Sequence, residues 1–319
     1  MPDLTSHYRT VAKAIMEGRV VPLLGAGVNL CGRPPDVVWN REQAQYLPSG
    51  KELVEFLAQY FEYPEQDLLD LARVSQYASV VSGLGPLYDE LHEVFDADFP
   101  ISSVHELLAT IPQATRAAHG APKYQLIVTT NYDDALERAF GAANEPFDLV
   151  YYVADKPKEH RGRFMHCPPA GEPRPIEKPN EYRDVSLADR TVILKIHGAI
   201  DRLDPERDNY VITEDHYIDY LTHTDIAQFV PVVLAAKLRR SHFLFLGYSM
   251  RDWNLRVILH RIWGEQELPY TSWAIQREPT VIDQKFWSKR SVEILDVDLE
   301  EYVSGLREAV HEPLGAGVG

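Results

Sequence analysis

A chain of 319 residues with 45% hydrophobic and 10% aromatic content is long enough to bury one large core, which fits a single α/β domain with insertions. Its 32 basic against 48 acidic residues leave a formal charge of −16, so a polyanionic backbone is repelled and direct nucleic-acid binding is not expected. Only two cysteines, no apolar stretch long enough to span a bilayer and no signal-like start at Met1-Pro2-Asp3 lead to the expectation of a soluble cytoplasmic protein without a membrane partner.

The first apolar run, Val20 to Leu24, stops at Gly25-Ala26-Gly27-Val28-Asn29. Glycines at such a turn lack a Cβ and let backbone N–H groups approach a ligand phosphate. No further glycine follows Gly27 until Gly32, so the three-glycine spacing of a dinucleotide fingerprint is absent and a plain βα turn remains an alternative. A Gly- and Pro-bearing loop with Arg33, Pro34, Pro35, Trp39 and Tyr46 comes next. Helical periodicity at 51–63 and 84–95 then predicts a helical layer, inserted over about 33–120.

The second run, YQLIVTTNYDDAL at 124–136, stops at Asn131. Asp133 and Asp134 follow it, either facing a ligand or complementing the dipole of the helix that begins there. Residues 156–184 hold six prolines and many charges and read as an irregular excursion, ordered in part or on a partner. His160, His166 and Cys167 within it lack metal-ligand spacing, so no metal is expected. The third run, TVILKIHGAID at 191–201, stops at His197. Open α/β sheets bind ligands beyond the carboxyl ends of their strands, which brings Asn131 and His197 to one crevice.

Residues 209–213 read as a β-branched strand meeting a helix capped at Thr213, with Glu214, Asp215 and His216 structural. The cations of KLRR at 237–240 suit a helix C-terminus. The fourth run, 241–246, ends in Gly247-Tyr248-Ser249, and Asp252 is placed to cap a following helix. Runs at 271–276 and 291–297 predict closing strands, 300–310 a last helix, and 311–319 a terminal tail on a domain spanning 1–310.

GAGVN at 25–29, TTNYD at 129–133, HG at 197–198 and GYS at 247–249, in this order and each at a strand end, resemble the NAD-binding core of the sirtuin (SIR2) family. The resemblance covers roughly residues 15–300 and implies a Rossmann-like, doubly wound, mostly parallel sheet. The family motifs are GAG with a serine two residues on, T-Q-N-x-D, His-Gly and G-T-S; here Asn29 replaces the serine, Thr130 the glutamine and Tyr248 the threonine. Deacylase sirtuins carry a zinc ribbon of two Cys-x-x-Cys pairs, which Cys31 and Cys167 alone cannot build. The pattern looks more like the divergent SIR2-like proteins of bacterial defence systems.

That likeness implies NAD as substrate and its cleavage to nicotinamide and ADP-ribose in antiviral defence, with Asn131 and His197 catalytic. It further implies that Asp133 faces the nicotinamide carboxamide, and that Gly25, Ala26, Gly27, Asn29, Thr130, Gly247 and Ser249 complete the nucleotide site. Control by homo-oligomerisation or by a partner such as a HerA-type ATPase, an Argonaute-like protein or another sensor is implied in the same way. A protein deacylase and a non-catalytic scaffold sensing NAD or ADP-ribose are the alternatives.

Overall fold

Runs of apolar residues too short for a helix and buried on both faces become strands, and here they assemble one nine-stranded sheet. The computed structural model describes residues 4–65, 69–222, 230–250, 256, 259, 262 and 270–312. Its strands are β1 (Val20–Leu24), β2 (Leu126–Thr129), β3 (Phe147–Tyr152), β4 (Phe164–Cys167), β5 (Arg174–Pro175), β6 (Thr191–Lys195), β7 (His242–Leu246), β8 (Ser272–Ile275) and β9 (Val292–Leu295). The spatial order is β5-β4-β3-β6-β2-β1-β7-β8-β9, parallel from β3 to β9 and antiparallel at the β4 and β5 edge. Chain order runs outward from β1 through β2 and β6 on one side and through β7, β8 and β9 on the other. The reversal falls between β1 and β7, where open sheets of this kind form a ligand crevice.

Alternate strand residues feed two cores. Val21 and Leu23 of β1 join the face covered by α8 (Val232–Arg239) and by Trp287 of α9 (Val281–Ser288). Val20 and Leu24 join the opposite face, covered by α1 (Thr5–Met16), α5 (Ser103–His119), α6 (Ala135–Ala142) and α10 (Leu299–His311). Pro22 is tolerated in this inner strand because the β1–β2 register begins only at Leu23↔Val128, so no ladder donor is lost on that side.

The inserted helices α2 (Gly50–Tyr60), α3 (Leu71–Ser82) and α4 (Leu84–Phe95) form a third core with Tyr132, Ile200, Tyr210 and Ile212. Edge-to-face rings tie that layer to the turns beyond β2 and β6: Tyr132 to Tyr210 at 5.1 Å, Tyr88 to Tyr210 at 5.0 Å and Phe95 to Tyr132 at 5.6 Å between centroids. The layer therefore roofs the strand ends.

Two readings of the sequence are corrected. The excursion at 156–184 is not irregular throughout, because β4 and β5 extend the sheet antiparallel to β3, with Pro175 at the outermost edge, where no neighbour needs its missing N–H. Residues 209–213 form no ladder strand; Asn209 N and Val211 N bond Ala199 O and His197 O at 3.0 and 2.8 Å, an extended strap across the third turn. Thr213 caps α7 (Glu214–Thr222) as expected, its hydroxyl accepting from His216 N at 3.1 Å. Asp252, the helix expected after it and the glycines of the 311–319 tail lie outside the described residues. Among the described residues no helix is long and apolar enough to cross a membrane.

His105 starts α5 in a reciprocal cap with Ser102, its Nδ1 lying 3.0 Å from Ser102 Oγ. Burial pulls its imidazole down from 6.5 to about 4, against the opposing charge of Asp133. Between those values the unfolded chain binds the proton and the folded one does not, so stability from this group rises with pH and is lost as pH falls. Relative to His105→Gln, which preserves a capping side chain, the native protein should lose stability between pH 7 and pH 4 at up to roughly 1.4 kcal/mol per pH unit in urea titrations. A difference flat across that range would contradict the buried neutral imidazole.

Candidate functional site

The register aligns Lys195, Thr129, Leu24 and Leu246 in one row across β6, β2, β1 and β7. Their turns consequently leave the sheet side by side. Ile196 N bonds Thr129 O at 3.0 Å, Thr130 N bonds Leu24 O at 3.2 Å, and Gly25 N bonds Leu246 O at 3.0 Å. Asn131 and His197 each lie two residues past paired positions on neighbouring strands, about 5 Å apart in a sheet, so both rise from the same edge.

Both side chains are buried. Asn131 is 8% exposed, its amide donating to Gly25 O at 3.2 Å and its own N–H bonding Thr129 Oγ1 at 3.0 Å. His197, 5% exposed, lies edge-to-face with Tyr217 and Tyr220 of α7 at 5.6 and 5.9 Å. Asp133, expected by resemblance to face a nicotinamide, accepts from Asn29 Nδ2 at 2.8 Å and from Ala135 N at 3.1 Å, so it braces the first turn and starts α6. Asn29 is thereby held toward Asp133.

The glycines have a reason within the fold. Gly27 N donates to Gly247 O at 3.0 Å, and a Cβ on Gly25 or Gly27 would stand 2.7 Å from that oxygen. Gly247 has φ +70°, and a Cβ there would lie 2.3 Å from Val28 N. The two turns thus touch backbone to backbone at the switch point. Beyond them an open cavity of about 720 Å³ is lined by Gly27, Gly247, Tyr248 and Ser249, with Asp298 and Glu300 from the start of α10 on its rim. Ala26 and Ser249 are exposed at its approaches. Cys31 also lines it, and burial reinforced by Glu300 and Asp298 pushes its thiol up to about 12.

Asn131 and His197 do not line that cavity. Tyr248, which does line it, packs its ring beside Gly25 and sets its hydroxyl 2.8 Å from Thr130 Oγ1, next to Asn131 in sequence. Both bridge residues stand where the sequence departs from the resembled motifs. Behind the pair sits Lys195, 1% exposed, bonded to Tyr132 O at 3.3 Å, Asp133 O at 2.5 Å and Glu137 Oε1 at 2.5 Å. Burial raises the Glu137 carboxyl pKa while Lys195 lowers it. The sequence alone assigns no role to Lys195 or Glu137 and marks Tyr248 only as a departure from the resembled motif; the one available signal for the lysine was its place inside a run otherwise buried on both faces.

His166 and Cys167 belong to β4, where His166 bonds Asp148 and Tyr182 at 3.0 and 2.8 Å. Among the described residues no group of three or more His, Cys, Asp or Glu could hold a metal ion.

Residues 125–295, just over half of the chain, match the family model of the SIR2-like domain. A protein of Acinetobacter baumannii (strain 532279) named NAD(+) hydrolase ThsA is 32% identical over 199 residues, 62% of this chain and 32% of that protein. One of Enterococcus faecium with the same name is 25% identical over 270 residues, 84% of this chain and 45% of that protein. The chain therefore spans less than half the length of these curated relatives.

Because Gly247 combines a left-handed conformation with a backbone contact, Gly247→Ala should cost about 2–4 kcal/mol in urea denaturation, strain and overpacking together. A midpoint equal to the native one would mean that the two turns approach less closely than this.

Proposed function

Because this chain belongs to the SIR2-like domain family, we propose that it hydrolyses NAD+ to nicotinamide and ADP-ribose, with Asn131 and His197 as its catalytic pair. The observation that supports the reading is that the segments carrying Asn131 and His197 leave adjacent, in-register strands at the same end of the sheet as the cavity lined by Gly27 and Gly247 at the switch point. The names of the two curated relatives support the substrate and the reaction.

The nicotinamide–ribose bond already has a cationic leaving group, so its cleavage needs no acid at nitrogen. It needs a dry pocket that tolerates an oxocarbenium-like ribose and a placed nucleophile. As the bond breaks, its electron pair neutralises the pyridinium and nicotinamide departs. Water then bonds the anomeric carbon and gives up a proton, leaving ADP-ribose. His197 is the group that takes this proton, a role worth about 10²–10⁴-fold. Asn131 orients the water or a ribose hydroxyl, having both donor and acceptor. Gly25, Ala26, Gly27, Thr130, Gly247 and Ser249 would flank the dinucleotide, with Asn29 and Asp133 bracing the turns from behind.

The same reading extends to biology. A free NADase endangers its own cell, and the Tyr248–Thr130 bridge together with the amide of Asn131 turned onto Gly25 O supports an inactive resting arrangement. Release by a partner protein or by homo-oligomerisation, in a bacterial antiviral role, completes the proposal.

Incubation of the purified protein with NAD and chromatography of the products tests it. Equimolar nicotinamide and ADP-ribose are expected from the released or assembled state and little from the resting one, with turnover in the active state at least about 100-fold lower in folded Asn131→Ala and His197→Ala. Unchanged turnover in those variants would remove the site assignment. Saturable NAD binding with no product in any assembly state would replace the hydrolase by a sensing scaffold.

A further inference from the structure

Lys195 is among the largest fully buried side chains of the protein, and nothing in the proposed chemistry employs it. Burying an ammonium costs several kcal/mol even when it is paired, and an apolar side chain of similar length would fill the same space without that cost. A lysine retained here calls for another reason. Its three donors have three acceptors: Tyr132 O, Asp133 O and Glu137 Oε1. The first two belong to the turn immediately after Asn131, and the third to the first turn of α6, which that segment enters.

Lys195 itself stands two residues before His197. On the far side of His197, Ile200 N reaches the same Tyr132 carbonyl at 3.0 Å. The backbone that carries the histidine is thus pinned before and after to one oxygen of the backbone that carries the asparagine. Asp133, whose carbonyl takes the lysine, extends the tie to the β1 turn through its carboxylate and Asn29.

We propose that Lys195 is a positioning residue whose buried ammonium clamps the β2 and β6 turns together and so sets the separation of Asn131 from His197. The proposal rests on the reading of those two residues as the catalytic pair. Its ion pair with Glu137 keeps the charge compensated within the clamp.

The test compares the native protein with Lys195→Met and with the double variant Lys195→Met/Glu137→Gln, which removes both charges at nearly constant volume and so spares the fold an orphaned buried carboxylate. Steady-state NAD hydrolysis, the urea midpoint and backbone amide exchange are measured on each. The clamp predicts that the folded double variant keeps its midpoint and its KM while kcat falls about 100-fold, the expected result of a small misplacement of catalytic groups. It also predicts faster exchange at the amides of 131–134 than in the native protein. Unchanged kcat and exchange would overturn it, as would a kcat loss that disappears when assay temperature is set at equal distance below each midpoint. Asn131→Ala and His197→Ala run alongside separate the two ideas. Should they retain turnover, the catalytic reading fails on its own, while exchange at 131–134 still decides whether Lys195 holds the turns.

Discussion

Because β6, β2, β1 and β7 pair in one parallel register through Lys195, Thr129, Leu24 and Leu246, each of their turns begins at the same height of the sheet. A slip by one residue in any pair would send alternate side chains to the wrong face and bury charge against Val, Ile and Leu. The two cores on either face of the sheet therefore enforce the geometry of the site, and the first reaches it directly through Tyr220, which lies edge-to-face with His197. What remains for the turns is to choose which side chain each presents.

That choice is made by close backbone contact on one side and by buried polar ties on the other. Between β1 and β7 the glycine turns approach until no Cβ fits, so this half of the crevice is shaped by main chain. Between β2 and β6 the turns are joined by Lys195, bonded to Tyr132 O and Asp133 O, and by Ile200 N on Tyr132 O, so the other half depends on a buried side chain. A main-chain wall suits the phosphate and sugar of a nucleotide, which are common to many ligands, while side chains suit the reacting end. The helical layer closes over the second half through the ring cluster of Tyr88, Phe95, Tyr132 and Tyr210.

The inner strands were legible because burial on both faces leaves an unbroken apolar run, and their polar ends stood out for the same reason. β3 was passed over because Asp148 interrupts FDLVYY; that carboxylate is buried against His166 and Arg190, a partnership no local pattern reveals. The β4–β5 edge was hidden by prolines that an outermost strand tolerates. Asn29 and Asp133 were visible as polar residues at strand ends, but their bond to one another spans separate turns and emerges only on folding. Lys195 escaped notice because lysine is normally a surface residue, and its acceptors are carbonyls, which every sequence supplies alike.

The bridge between Tyr248 and Thr130 also bears on how this chain diverged. Relative to the SIR2 motifs a long side chain has become short at 130, and a short one has become long at 248. With the phenol oxygen 2.8 Å from the threonine hydroxyl, a glutamine at 130 would run into the ring, whereas a threonine at 248 would leave the space above Gly25 open. The shorter side chain at 130 makes room for part of the longer one at 248. The two departures should therefore behave as a single epistatic unit, inherited and exchanged together, and lineages that carry one without the other should be rare.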